Sequence, residues 1–282
     1  MTIGAFPEHL HTYISQRERD ELEREMCTLE KRGRVYVLTI TGGEEHRLNP
    51  TLISAIRAAL ARVRSAALRG GGGGALVTAA EGKFFSNGFD LAWAKTVPAE
   101  HHAAMVGGLR RAVTDLLSLP MPTIAAVTGH AAAAGCLLAL SHDYVLMRAD
   151  RGFFYMSELD IGIRLTDYFN AALRNKIPAA RTRRDVVMRA ARMTAAEAES
   201  AGVVDRAVGG GAAAVVEEAV RMGEELAARN WDGEVYASVR KGVFAEMWRA
   251  VAEEGDGDGD GDGDGDEDDE EKEKKGAARS RL

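Results

Sequence analysis

Val35-Tyr36-Val37-Leu38-Thr39-Ile40, then Pro50 with TLISAIRAALARVRSAAL (51–68), then Ala75-Leu76-Val77-Thr78: this run decides the fold. The first block is β-branched and apolar and reads as a strand ending at Gly42-Gly43. Pro50 has the fixed φ that suits the first turn of a helix, and the apolar residues after it recur at helical spacing. Gly70 to Gly74 break that helix before the second strand. Strand, helix and strand in this order form a β-α-β unit, which favours a parallel sheet and a right-handed crossover.

The unit recurs. A helix near Val106–Leu119 stops at Pro120-Met121-Pro122, Thr123–Val127 reads as a strand, Ala131–His142 as a helix of small residues, and Tyr144–Met147 as the next strand. The pattern turns helical through TRRDVVMRAAR (182–192) and TAAEAESAG (194–202). Thr194 and Glu197 have capping-box spacing, and Gly202 stands where a C-cap glycine would. Val203-Val204 reads as a short strand and Ala212–Arg229 as a helix. The predicted class is α/β with a helical C-terminal part. It divides into an N-terminal extension (1–25), a core (26–205), a C-terminal helical region (206–252) and an acidic tail (253–282).

Composition narrows the function. The 282 residues, 46% of them hydrophobic, suffice for a full core. No run of 18 apolar residues occurs, which excludes a membrane-spanning helix. The polar N-terminal stretch lacks the pattern of a secretory signal, and Cys27 and Cys136 cannot build a disulfide framework, so a reducing compartment is expected. The net charge of −7 is unevenly spread. Residues 253–282 hold 14 acidic and 5 basic side chains, and the rest holds 29 acidic and 31 basic. The body is nearly neutral, without the basic footprint of a nucleic-acid binder. The Gly-Asp repeat from Gly255 cannot bury apolar surface and is expected to be disordered. It lacks the apolar positions of a calcium-binding nonapeptide repeat. No metal site is expected.

Three segments carry chemistry. Phe85-Ser86-Asn87-Gly88-Phe89-Asp90-Leu91 follows a strand and offers turn N–H groups, though alone it also reads as an ordinary turn. Val127 to Cys136 runs from strand through Gly129-His130 into a helix of tiny side chains, which suits either ligand approach or tight packing. Here His130 reads as support for the turn rather than as a base, and Asp143 as a cap or packing group at the helix end. In Tyr155-Met156-Ser157-Glu158-Leu159, Glu158 is a carboxylate among apolar neighbours, a setting that raises a pKa and suits proton transfer. Gly70–Gly74 lacks the Lys-Ser/Thr of a phosphate loop and reads as a stretched turn.

Taken in order, FSNGFDL (85–91), PTIAAVTGHAAAAGCLLAL (122–140), SHDY (141–144) and TAAEAESAGVVDRAV (194–208) resemble the crotonase (enoyl-CoA hydratase/isomerase) superfamily. The likeness runs from about Thr28 to Val243. YMSELDIG (155–162) and NGFDLAW (87–93) are most similar to the plant peroxisomal Δ3,Δ2-enoyl-CoA isomerases. The resemblance implies a spiral of repeated ββα units, an acyl-CoA thioester substrate, no separate cofactor, and a homo-oligomer, trimer or hexamer. It implies an oxyanion hole from the backbone N–H groups of Phe89 and Ala134, and Glu158 as the catalytic acid/base. Arg47 and Leu48, with Asn49, would lie along the CoA. Ser86, Asn87, Gly88, Asp90, Leu91, Gly135 and Leu137 would line the substrate channel. The second carboxylate of hydratases falls on Leu137, which cannot activate water, so isomerisation is expected over hydration. Ile163-Arg164-Leu165-Thr166-Asp167-Tyr168 departs from the hydratases' glycine-rich continuation, so Arg164 and Asp167 are candidates to shape a different acyl pocket.

The chain ends Ser280-Arg281-Leu282, a variant of the Ser-Lys-Leu address, which predicts a peroxisomal import receptor as partner and the peroxisome as location. The alternatives are another family member acting on acyl-CoA, hydratase-like or hydrolytic, and a catalytically silent binding protein whose acidic tail meets a partner.

Overall fold

The computed structural model describes residues 25–69 and 73–253. Most of the N-terminal extension, Gly70–Gly72, the Gly-Asp tail and Ser280-Arg281-Leu282 lie outside the described residues.

β1 (Cys27–Arg32) and β2 (Val35–Ile40) form an antiparallel hairpin closed by Gly33-Arg34, where Gly33 takes φ +57°. From β2 the sheet continues in parallel through β3 (Ala75–Ala80), β5 (Thr123–Val127), β7 (Tyr144–Arg148) and β9 (Arg206–Val208), in the order β1-β2-β3-β5-β7-β9. β3 and β5 are buried throughout, as parallel strands covered on both faces must be. One face carries Leu38, Ile40, Leu76 and Val127 into a core with Leu52, Ile56 and Leu60 of α1 (Pro50–Arg69) and Leu109 and Val113 of α3 (Ala99–Leu117). The opposite face carries Val35, Val37, Val77, Ile124 and Leu146 against Val215 and Ala219 of α8 (Gly211–Ala227). The two-residue period of the strands therefore divides the apolar side chains between two cores.

A second sheet has three short parallel strands, β4 (Phe84–Ser86), β6 (His130–Ala132) and β8 (Phe154–Tyr155), in the order β4-β6-β8. The remaining helices are α2 (Leu91–Ala94), α4 (Ala134–Leu140), α5 (Asp167–Lys176), α6 (Ala180–Met188), α7 (Ala195–Ser200), α9 (Gly233–Val243) and α10 (Ala245–Glu253). The fold is α/β, with strands and helices alternating and helices closing the C-terminal part.

Two sequence expectations need correction. The segment 131–142 is not one helix: it begins as β6, turns at Ala133 and is helical only over α4. Val203-Val204 is not a strand. Both N–H groups donate to Ala198 O (2.8 and 3.3 Å) and close the end of α7, and strand pairing resumes at Arg206 beside Leu146. Apolar β-branched residues can be buried at a helix end as well as in a sheet. The capping box of Thr194 and Glu197 is present.

Arg240 fastens α9 to the body. It is 3% exposed, pairs with Asp143 through Nε–Oδ1 (2.6 Å) and Nη2–Oδ2 (2.7 Å), and donates to Leu119 O (2.6 Å) and to Met121 O. Asp143 also accepts from Thr123 N (2.9 Å) and Tyr236 Oη (3.2 Å). Its role is thus an ion pair with the C-terminal helices, more specific than the packing at a helix end expected from sequence.

Candidate active site

The three parallel strands of the small sheet end on the same side, and each leads into one of the segments singled out in the sequence. β4 runs into Asn87-Gly88-Phe89, β6 into Ala133-Ala134, and β8 into Glu158 three residues past Tyr155. Residues far apart in the chain meet because the strands pair.

The first segment bridges to Leu48: Leu48 N donates to Gly88 O (2.8 Å) and Asp90 N to Leu48 O (3.2 Å). In a parallel bridge the intervening amide faces the other way, so the Phe89 N–H points away from Leu48. On that other side, a Cβ built on Gly88 (φ +74°) would lie 3.3 Å from Ala134 N and 3.1 Å from Ala132 O. The positive φ favours glycine here, and the turn comes close to the start of α4. Ala134 opens α4, where the first N–H groups have no partner within the helix. Gly88 thus brings the turn that carries Phe89 alongside the start of α4. Gly135 makes the other close approach: a Cβ there would fall 2.3 Å from Ser86 O.

Glu158 is 8% exposed, and its Oε2 is buried without a hydrogen-bond partner. Burial pushes the carboxyl above the ordinary glutamate range, partly countered by the backbone N–H groups of Glu158 and Ser157. A turn closed by Ile163 N on Glu158 O (2.9 Å) follows. The first turn of α5 then brings Phe169 against Phe89, ring centroids 6.4 Å apart. Leu137 is 2% exposed and belongs to the same apolar core as Phe85 and Met156.

The other expected site residues are placed less uniformly. Ser86 is fully buried; its hydroxyl donates to His46 O (2.8 Å) and accepts from Gly88 N (3.3 Å), so it braces the turn. Asn87 Nδ2 donates to Glu45 Oε2 (3.1 Å), and Arg47 pairs with the same carboxylate (2.7 Å). Asp90 caps α2 by accepting from Trp93 N (3.0 Å), and Leu91 begins that helix. Arg164 and Asp167 are exposed. His130 starts β6, at the end of the strand away from Ala134, and its Nδ1 accepts from Phe153 N (3.2 Å).

Sequence reasoning missed several supporting groups. His46 is 2% exposed with Nδ1 on Phe84 O (2.8 Å). His142 is fully buried, with Nδ1 on Leu138 O (2.9 Å) and Nε2 on Thr78 Oγ1 (2.8 Å), and burial lowers its pKa to about 4. Lys176 donates to His142 O, and burial lowers it to about 8. His46 stands among Glu44, Glu45 and Arg47, and Lys176 beside Arg174 and Asn175, so neither stood out from a polar stretch; His142 alone follows an apolar run. Among the described residues, no group of three or more His, Cys, Asp and Glu side chains is arranged to hold a metal ion, and no helix is long and apolar enough to cross a membrane.

Residues 30–253 match the sequence model of the enoyl-CoA hydratase/isomerase family. The chain belongs to that family. It is 51% identical over 227 residues to the peroxisomal enoyl-CoA delta isomerase 2 of Arabidopsis thaliana, covering 79% of this chain and 93% of that protein. It is also 51% identical over 222 residues to the peroxisomal enoyl-CoA delta isomerase 1 of the same plant, covering 79% and 91%. Among solved structures, an enoyl-CoA hydratase from Mycobacterium marinum superposes with a TM-score of 0.71 at 25% identity, covering 81% of this chain and 95% of that one. In this chain Phe89, Ala134 and Glu158 each stand just past a strand of the small sheet.

Proposed function

We propose that the chain is a Δ3,Δ2-enoyl-CoA isomerase, converting 3-enoyl-CoA to trans-2-enoyl-CoA. The observation that carries this reading is Glu158: a buried carboxylate with an unpartnered oxygen, reached from the same sheet edge as two backbone donors, with apolar Leu137 where hydratases hold a second carboxylate. Half-identity to two proteins named enoyl-CoA delta isomerases supports it.

In this mechanism the thioester oxygen accepts hydrogen bonds from the N–H groups of Phe89 and Ala134. Glu158 removes a proton from C2, the electrons move into a dienolate whose oxyanion the two donors stabilise, and Glu158 returns the proton to C4. The double bond moves from C3–C4 to C2–C3 with no net change in atoms or electrons. One such donor is worth about 10²–10³-fold in rate. Burial favours the protonated form of Glu158 and so eases the uptake half of the cycle. With Leu137 in place of a second carboxylate, no group orients a water for addition to C3. The CoA belongs to the substrate, and no separate cofactor is required.

The same reading assigns the peroxisome as location, supported by the names of the two relatives and by Ser280-Arg281-Leu282 as the segment offered to an import receptor. It also assigns a homo-oligomer, trimer or hexamer. A coupled assay tests the chemistry: 3-hexenoyl-CoA is supplied with hydroxyacyl-CoA dehydrogenase and NAD, with and without added enoyl-CoA hydratase. NADH formation only with added hydratase is the expected result. NADH in both cuvettes would show hydration by this chain, and none in either would overturn the isomerase reading.

A further inference from the structure

We propose that Cys136 is a positioning residue whose thiol locks the Ala131–Ala134 turn onto the strand leading to Glu158. The catalytic side of this assignment rests on the isomerase reading above.

The turn needs a lock. Ala133 has φ 51° and ψ −123°, outside the regions open to ordinary L-residues. Such a conformation persists only where surrounding bonds over-determine it. Three are backbone bonds: Ala133 N donates to Tyr155 O (3.0 Å), and Cys136 N (2.8 Å) and Leu137 N (3.3 Å) donate to Ala133 O. The side-chain contribution is the Cys136 thiol, which lies 3.0 Å from Ala131 O and 3.1 Å from Tyr155 O. Its single proton is shared between a carbonyl before the strained residue and a carbonyl of β8. Tyr155 O thereby receives both the Ala133 N–H and the thiol, and Tyr155 lies three residues before Glu158. The thiol thus spans the turn that aims the Ala134 N–H and ties it to the strand carrying the base.

The donor state is secure. Cys136 is fully buried, and burial, followed by the Glu158 charge, pushes the thiol well above its ordinary range. It stays protonated at the pH where Glu158 works. Cys136 touches no reacting atom in this scheme; its effect passes through the turn.

Three variants of the full chain separate hydrogen bonding from packing. C136S keeps a donor on a similar frame, C136A removes it, and C136V removes it while filling most of the volume. C136A is expected to lower kcat for 3-hexenoyl-CoA about tenfold to a hundredfold, with KM within about twofold, a fraction of the loss seen when an oxyanion donor is deleted. C136S is expected to recover at least a third of the wild-type kcat, and C136V to behave as C136A. Amide hydrogen exchange over residues 131–137, measured on the same preparations, should be faster in C136A and C136V but near wild type in C136S. Equal kcat and equal exchange in wild type, C136A and C136S would overturn the assignment, as would equal losses in C136A and C136S. If the wild type turns over no 3-enoyl-CoA, the isomerase reading falls. Exchange still decides whether the thiol holds the turn: faster exchange confined to C136A and C136V supports the lock, and unchanged exchange overturns it.

Discussion

Gly135→Ala adds one methyl group at the point where α4 meets β4. Its Cβ would sit 2.3 Å from Ser86 O and 2.9 Å from Ser86 C. Real Cβ contacts do not fall below 3.0 Å, so α4 and β4 must separate by about 0.7 Å at least. Both opposing atoms belong to the backbone, and no rotamer change relieves them. The movement is forced between the segment presenting Ala134 N–H and the strand leading to Phe89 N–H, which must address the same oxygen. A misplacement of about 1 Å at a reacting centre costs about 10²-fold. A shift of this size therefore predicts a fall in kcat of about 30- to 100-fold. The coupled assay with 3-hexenoyl-CoA reads it directly, with thermal unfolding run in parallel. Gly242→Ala serves as control: nothing lies within 4 Å of a Cβ there, and alanine favours a helix by about 0.5–1 kcal/mol over glycine. The control should keep wild-type kcat and lose no stability. A Gly135→Ala enzyme within twofold of wild-type kcat would refute the claim that this close approach sets the donor geometry.

Glu158→Gln should lower kcat by at least the ~10²–10⁴-fold of a positioned acid/base without lowering Tm, because it removes a buried charge; retained turnover would take Glu158 out of the mechanism. Since burial raises Glu158, the acid limb of the wild-type kcat/KM profile should lie above pH 4.5, and a limb at or below that value would contradict the burial argument. His142 titrates near 4 when folded against 6.5 ordinarily. Between those values the unfolded chain binds more protons, so stability is lost as pH falls from 6.5 to 4, by about 3 kcal/mol. His142→Gln should flatten that part of a Tm–pH curve, and an unchanged curve would reassign the acid lability. Arg240→Met removes the ion-pair partner of buried Asp143 and should cost about 3–5 kcal/mol in chemical denaturation; Asp143→Asn in the same chain should restore part of the loss, and no restoration would mean that Arg240 acts through packing instead.

Elements that declare themselves locally were legible before folding was considered. Pro50 and the apolar spacing after it located α1, and Thr194, Glu197 and Gly202 bracketed α7. The β-branched blocks at 35–40 and 123–127 became β2 and β5. What stayed hidden depends on partners distant in sequence. β4, β6 and β8 are two or three residues long and exist only as a mutual ladder, so no period could reveal them. The break at Ala133 was invisible because alanine is a good helix former, and its positive φ is imposed by Tyr155 and Cys136. For the site, resemblance named Phe89, Ala134 and Glu158, and the structure places each just past a strand of the small sheet. Ser86 shows the limit of that route: its position borders the turn, while its hydroxyl is spent on His46 O and Gly88 N.

The Arg240–Asp143 pair bears on how the chain is made. Its members stand 97 residues apart, and a chain grows from its N-terminus at about 5–20 residues per second. Asp143 is therefore synthesised about 5–20 seconds before the guanidinium that neutralises it. Strands β1 to β7 are complete by Arg148, and the carboxylate gains its ion-pair partner only when Arg240 arrives. A product ending before residue 240 would lack both this guanidinium and the Tyr236 hydroxyl that bonds the same carboxylate. The contact that anchors α9 thus joins a residue made midway through synthesis to one made near its end.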